Sequence, residues 1–180
     1  MKALCRLVWP SISKDYLFLL PLFFLLPSLE VNAQIRVSSK YEKKAAQMAE
    51  NHFPGMGLRM ETIPFPEDEN HVIERLMAGD SLIGYMVFAS AKGRYDYFDY
   101  LILTGNQLKI KEIVILEYRS DHGYQIASKR WLAQFIGYNG EEAYRPGQQV
   151  DAISGASLSS ANLCDDLFQI MKRLRCINQL

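Results

Sequence analysis

The chain has 180 residues, enough for one ordinary domain behind a short leader, and its 49% hydrophobic and 22% charged content excludes a disordered or collagen-like polymer. Its 20 basic and 20 acidic side chains cancel, so nothing in the charge balance suits a phosphate backbone, and no nucleic acid is expected as a partner.

The first 33 residues have the layout of a secretory signal: a basic start (Lys2, Arg6, Lys14), an apolar run from Tyr16 to Leu26, and a polar stretch ending Val31-Asn32-Ala33. The apolar run is 11 residues long, whereas a helix needs about 20 to span a bilayer, and Pro21 and Pro27 interrupt it. The expectation is an exported protein, periplasmic or extracellular, cut after Ala33 so that the mature chain starts at Gln34. It is membrane-associated if the leader is retained. Cys5 leaves with the leader. Cys164 and Cys176 remain, in one helical pattern that puts their backbones roughly 18 Å apart, beyond disulfide reach. Cys164 reads as a small core hydrophobe and Cys176 as a helix-end thiol, and neither has metal-ligand spacing with a histidine.

Along the mature chain, Tyr41 to His52 is rich in helix formers and ends at Phe53-Pro54-Gly55, a helix stop. Thr62 to Asn70 holds Pro64, Pro66 and the acidic run Glu67-Asp68-Glu69, which is loop chemistry, and a short helical pattern, His71 to Ala78, follows. Three apolar segments then predict strands: Leu82–Ala89, Tyr97–Leu103 and Ile110–Tyr118. Lys92-Gly93-Arg94 turns between the first two. Thr104-Gly105-Asn106-Gln107 predicts a tight hairpin between the last two, which makes that pair antiparallel. A polar loop, Arg119–Gln125, leads to a helix over Ser128–Phe135 halted at Gly137, and Pro146-Gly147 marks a further turn. From Leu158 to Leu174, the residues Leu163, Leu167, Ile170, Met171 and Leu174 recur at three-and-four spacing, the apolar stripe of an amphipathic helix. The fold class expected is α+β, a small antiparallel sheet packed with helices. Residues 34–80 read as a helical and loop extension and residues 81–175 as the main domain.

Just before that final helix comes Asp151-Ala152-Ile153-Ser154-Gly155-Ala156-Ser157-Leu158-Ser159-Ser160. It is a run of small and hydroxylated residues where a helix begins. A helix start leaves up to about four backbone N–H groups without partners and carries partial positive charge, so it receives an anion such as phosphate. The plain reading is that Ser157 caps the helix.

The string resembles the flavinylation motif of the FMN-binding domain family, which includes covalently flavinylated subunits of the sodium-pumping NADH:quinone reductase and of the Rnf complex. That motif runs Asp, two variable residues, Ser or Thr, Gly, Ala, then the Ser or Thr acceptor. Asp151, Ser154, Gly155, Ala156 and Ser157 match it, with Ser in place of the commoner Thr at the acceptor. The Gly84-Tyr85 strand opening, the hairpin, the strand ending at Tyr118, and Trp131-Leu132-x-x-Phe135-x-Gly137 are similar to the family's order. Where many members carry Glu-Thr-Pro-Gly in the loop after the third strand, this chain has Ser120-Asp121-His122-Gly123.

The resemblance implies an electron-carrying flavoprotein with covalent FMN on Ser157. A flavin transferase that uses FAD and magnesium would make the linkage, recognising Asp151 and Gly155. Ser154, Ala156, Leu158, His122 and Gly123 would border the cofactor, with Tyr118, Tyr124 and Trp131 as further candidate neighbours of its ring. Redox partners in the membrane or periplasm would donate and accept electrons. Two alternatives stay open: a non-redox exported module that binds a ligand or protein, and a flavin-dependent reductase. No acid/base constellation stands beside the motif. His52 and His71, isolated in polar stretches, read as solvated surface residues.

Overall fold

Apolar side chains alternate along the central strands, and both sets are covered. In β4 (Tyr97–Gly105), Phe98, Tyr100 and Ile102 join one buried cluster while Leu101 and Leu103 join another. β3 (Ser81–Lys92) divides in the same way, with Tyr85, Val87 and Ala89 against Met86 and Phe88. A strand whose two faces are both buried must have a layer on each side of its sheet. In the computed structural model, which describes residues 39–64 and 70–179, those layers are helical.

The first layer is α1 (Ser39–His52), which contributes Ala45, Met48 and Ala49 at helical spacing. The second is α3 (Ser157–Asn178), a helix of 22 residues, together with the short α2 (Lys129–Leu132) and its flanking 3-10 turns Tyr124–Ala127 and Ala133–Phe135. Leu163, Leu167, Ile170, Met171 and Leu174 of α3 are all fully buried, as the spacing predicted. Burying each such side chain stabilises by about 1.5–3 kcal/mol, which docks the helix firmly on the sheet.

Between the layers lies one antiparallel sheet of five strands, ordered β1 (Arg59–Ile63), β2 (His71–Ala78), β3, β4 and β5 (Ile110–Tyr118). Each strand pairs with its neighbour in sequence, so every connection is local. The β4–β5 hairpin is antiparallel as expected. Its turn holds Leu108 at φ 55°, a left-handed value uncommon for leucine, and the side chain is buried in the core. The domain is α+β, and the described residues all fall within one compact unit. The leader expected over residues 1–33 and the acidic run Glu67-Asp68-Glu69 lie outside the described residues.

Two expectations are corrected. His71–Ala78 is strand β2, not a helix, and β1 precedes it, so residues 34–80, expected as a helical and loop extension, supply two strands of the sheet besides helix α1. Val72, Ile73, Leu76 and Met77 satisfy a helical spacing. As a strand, however, the segment sends Ile73 to one core and Leu76 to the other, and it pairs its backbone with β1 and β3. Tertiary pairing therefore overrides the local pattern.

His71 is also not a solvated surface residue. It is 9% exposed, and its Nε2 lies 2.9 Å from Asp166 Oδ1 on α3. Arg173 Nη1 lies 3.0 Å from the other ring nitrogen, Nδ1, and Tyr100 donates to Asp166 Oδ2 at 2.5 Å. Since arginine only donates, Nδ1 accepts from Arg173 and Nε2–H donates to the carboxylate. This polar cluster joins β2 and β4 to the middle of α3. His52 pairs with Glu112 at 2.7 Å, which ties the end of α1 to β5.

Candidate functional site

The segment Asp151–Ser160 is shaped by a turn. Ala156 N–H donates to Ile153 O at 3.2 Å, and Gly155, third of the four residues, has φ +80°. A type II turn requires a left-handed residue at that place, which glycine supplies without strain. The turn delivers the chain into α3 with Ala156 as the N-cap residue and Ser157 as the first helical residue. Ala156 has no side chain able to cap, and no side chain caps this helix among the described residues. Ser157 is therefore not the cap that the plain reading made it. It is exposed, and no hydrogen bond engages its hydroxyl among the described residues.

The rest of the first turn is anchored. Ser159 and Ser160 are buried, Ser160 Oγ donates to Ser157 O at 3.1 Å, and Asn162 Nδ2 donates to Lys92 O at 2.6 Å across to the end of β3. Of the successive hydroxyls, Ser157 faces solvent, Ser159 reaches Tyr118 of β5, and Ser160 closes a bond within the helix's own first turn.

Asp151 is fixed through its backbone. Trp131 Nε1 donates to Asp151 O at 2.8 Å, and Asp151 N–H donates to Gln134 Oε1 at 2.8 Å, while the carboxylate stays exposed. Trp131 is itself buried edge-on against Phe135, with ring centroids 5.1 Å apart. It is a core residue that positions Asp151, in place of the expected cofactor-ring neighbour.

The loop after β5 is packed against this turn. Gly123 has φ +89°, and a Cβ built there would lie 2.7 Å from the Tyr118 hydroxyl, 3.2 Å from Ala156 Cβ and 3.3 Å from Gly155 O. Only glycine fits such an approach. The sequence-predicted residues Gly123, Gly155 and Ala156 are thereby in direct contact, more than thirty positions apart in the chain. Above Gly155 there is open space, with no heavy atom within 4 Å of a built Cβ.

The other side of the same loop lines an open cleft of about 450 Å³ formed with Tyr95, Asp96, Arg119, Ser120, Asp121 and His122. Arg119 is locked in place by Asp99, and it donates to Glu117 Oε2 at 3.3 Å and to Tyr97 O at 3.0 Å. Its hydrogen bonds to the Asp99 carboxylate raise its pKa above the ordinary arginine value. Tyr41 of α1 reaches the same cluster, donating to Glu117 Oε2 at 2.6 Å, and its hydroxyl is pushed up by desolvation and then by these carboxylates. Tyr95, Tyr124 and Leu158 are 68%, 65% and 55% exposed around this end of the sheet.

No protein-family model matches this chain, and no curated protein does.

Of the residues the motif reading named, Asp151, Ser154, Gly155, Ala156, Ser157 and Leu158 lie in one short segment and the fold brings Gly123 to it, whereas His122 lines the neighbouring cleft. It missed Gln134, Tyr118's tie to Ser159, and Asn162. Gln134 had a signal, since it lies three positions after Trp131 on a predicted helix. Asn162 and Ser159 had none, because their partners are set by how α3 lies across the sheet.

Proposed function

We propose that this protein is an exported flavoprotein carrying FMN in phosphoester linkage to Ser157 Oγ and relaying electrons outside the cytoplasm. The observation that carries the reading is an exposed hydroxyl at the first position of α3, with no hydrogen-bond partner and no side chain capping the helix among the described residues.

A phosphate esterified there stands beside the free N–H groups of the first turn of α3, which favour an anion. The open space over Gly155 leaves room for the group, and the exposed side chains of Asp151 and Ser154 present the motif to a modifying enzyme. In the linkage step, the transferase breaks the pyrophosphate bond of FAD. AMP leaves, Ser157 Oγ bonds to the FMN phosphorus, and the hydroxyl proton is lost to solvent. This chain is the substrate of that step. Gly123 holds the 120–123 loop against the turn, and His122 lines the neighbouring cleft with Arg119. When bound, the isoalloxazine ring supplies reversible electron transfer, and the protein supplies position and electrostatics. A covalent bond suits an exported carrier, since a dissociated cofactor would be lost to the surroundings.

The test is coexpression with an active flavin transferase, followed by intact mass and peptide mapping. The expected result is one FMN on the peptide holding Ser157 and a yellow colour that survives denaturation. A bare Ser157, obtained where a known acceptor domain is modified in the same cells, would remove the redox assignment.

A further inference from the structure

Away from the Ser157 site, β5 ends the sheet. Among the described residues no strand pairs with its outer side. The 3-10 turns and α2 pack against the strand, but among the described residues only its first residue is closed off by backbone hydrogen bonds there, with Ile110 N–H donating to Tyr138 O at 2.9 Å and Gly137 N–H donating to Ile110 O at 2.8 Å. Further along, Val114 and Leu116 are half-buried on the α1 face and floor an open groove of about 590 Å³ against α1, while Ile115 between them reaches it at the strand backbone and packs its side chain on the opposite core. Lys40, Lys43 and Lys44 line its other wall. These lysines lie at i, i+3 and i+4, one stripe of α1 beside the stripe Ala45, Met48 and Ala49 that enters the core. No carboxylate lines the groove among the described residues.

An uncovered strand edge is a template for another strand, and a groove whose wall is cationic selects what comes to it. We infer that this groove docks an extended acidic segment of a partner protein, which adds to the edge of β5 with apolar side chains on Val114 and Leu116 and carboxylates toward the three lysines. A second copy of this chain is the poorer occupant. Two β5 edges joined about a two-fold axis would bring both lysine stripes to one junction, where like charges repel. The inference does not depend on flavin at Ser157.

The probe is a fluorescein-labelled peptide of about six residues, a usual strand length, alternating valine and glutamate, with a valine–lysine peptide as control. Fluorescence anisotropy on the purified protein should show binding of the acidic peptide alone, weakening as salt screens the contact. Amide exchange should slow at Val114–Leu116. The triple variant Lys40→Glu, Lys43→Glu, Lys44→Glu should keep its circular dichroism spectrum and lose about ten-fold or more in affinity. Equal binding of both peptides, or unchanged affinity in the triple variant, would overturn the inference. So would a dimer sealed through β5 in analytical ultracentrifugation, or binding to phosphatidylserine vesicles with no binding of the peptide. Neutral Lys→Gln variants that self-associate, while the parent ignores the peptide, would reduce the lysines to guards of an edge.

Discussion

The Tyr118 hydroxyl lies 3.0 Å from Ser159 Oγ, joining the last residue of β5 to the first turn of α3. The same hydroxyl donates to His122 O at 2.9 Å, so the single O–H of tyrosine is committed and Ser159 is the donor to Tyr118. One side chain thus holds both the loop and the helix start that frame Ser157. Tyr118→Phe leaves the buried Ser159 hydroxyl without its acceptor and His122 O without its donor. The expected cost is about 1–3 kcal/mol in urea unfolding, with faster amide exchange at 120–123. An unchanged midpoint would show that the tie carries no weight.

Ser157→Ala separates the chemistry from the fold. Ala156 occupies the cap position, and the Ser157 hydroxyl has no partner among the described residues, so stability should stay within about 0.5 kcal/mol of the parent. Covalent flavin, read by intact mass after coexpression, should vanish, and Ser157→Thr should retain it. A drop in stability the size of a lost cap, about 1 kcal/mol, would restore the purely structural role.

Gly155 and Gly123 should answer differently to the same change. Gly155→Ala meets no atom within 4 Å and bears only the left-handed backbone, so it should cost about 1–2 kcal/mol. Gly123→Ala bears that strain too, and it also drives a methyl to 2.7 Å from the Tyr118 hydroxyl, for about 1–3 kcal/mol more. Thermal unfolding of the two variants side by side checks the order, and equal losses would contradict the packing of the loop on the turn.

Alkali should weaken the fold. Burial pushes the Cys164 thiol from 9.0 to about 12, helped by the charge of Asp165. Burial likewise pushes the Tyr138 hydroxyl from 10.0 to about 12, and it lifts Tyr100 well above 10.0 with Asp166 adding to it. In the unfolded chain these groups ionise at their ordinary values, while the folded protein keeps them neutral. Their stabilisation is therefore complete below pH 9.0 and shrinks as pH rises through 10.0 toward about 12. Urea midpoints between about pH 8 and pH 11 should fall steadily, and a flat profile would refute the burial argument. At about pH 8, where a free thiol begins to react, the exposed Cys176 should be alkylated in the native protein and Cys164 only after unfolding.

Periodicity and turn chemistry were legible in the sequence. The stripe Leu163, Leu167, Ile170, Met171 and Leu174 places an apolar face on α3 whatever surrounds it, and Gly-Asn between two apolar runs makes β4 and β5 antiparallel neighbours. The α+β class and the position of the Asp151–Ser160 segment at a helix start follow from such local rules. His71–Ala78 was not legible, because its apolar spacing serves a helix and a strand alike and only pairing with β1 and β3 decides between them. Nor could a linear reading place His71 beside Asp166, Gly123 against Gly155, or Trp131 under Asp151. Contacts between residues distant in the chain depend on how α3 and α2 lie across the sheet, and that is settled by the packing of whole faces, to which each short segment contributes only a part.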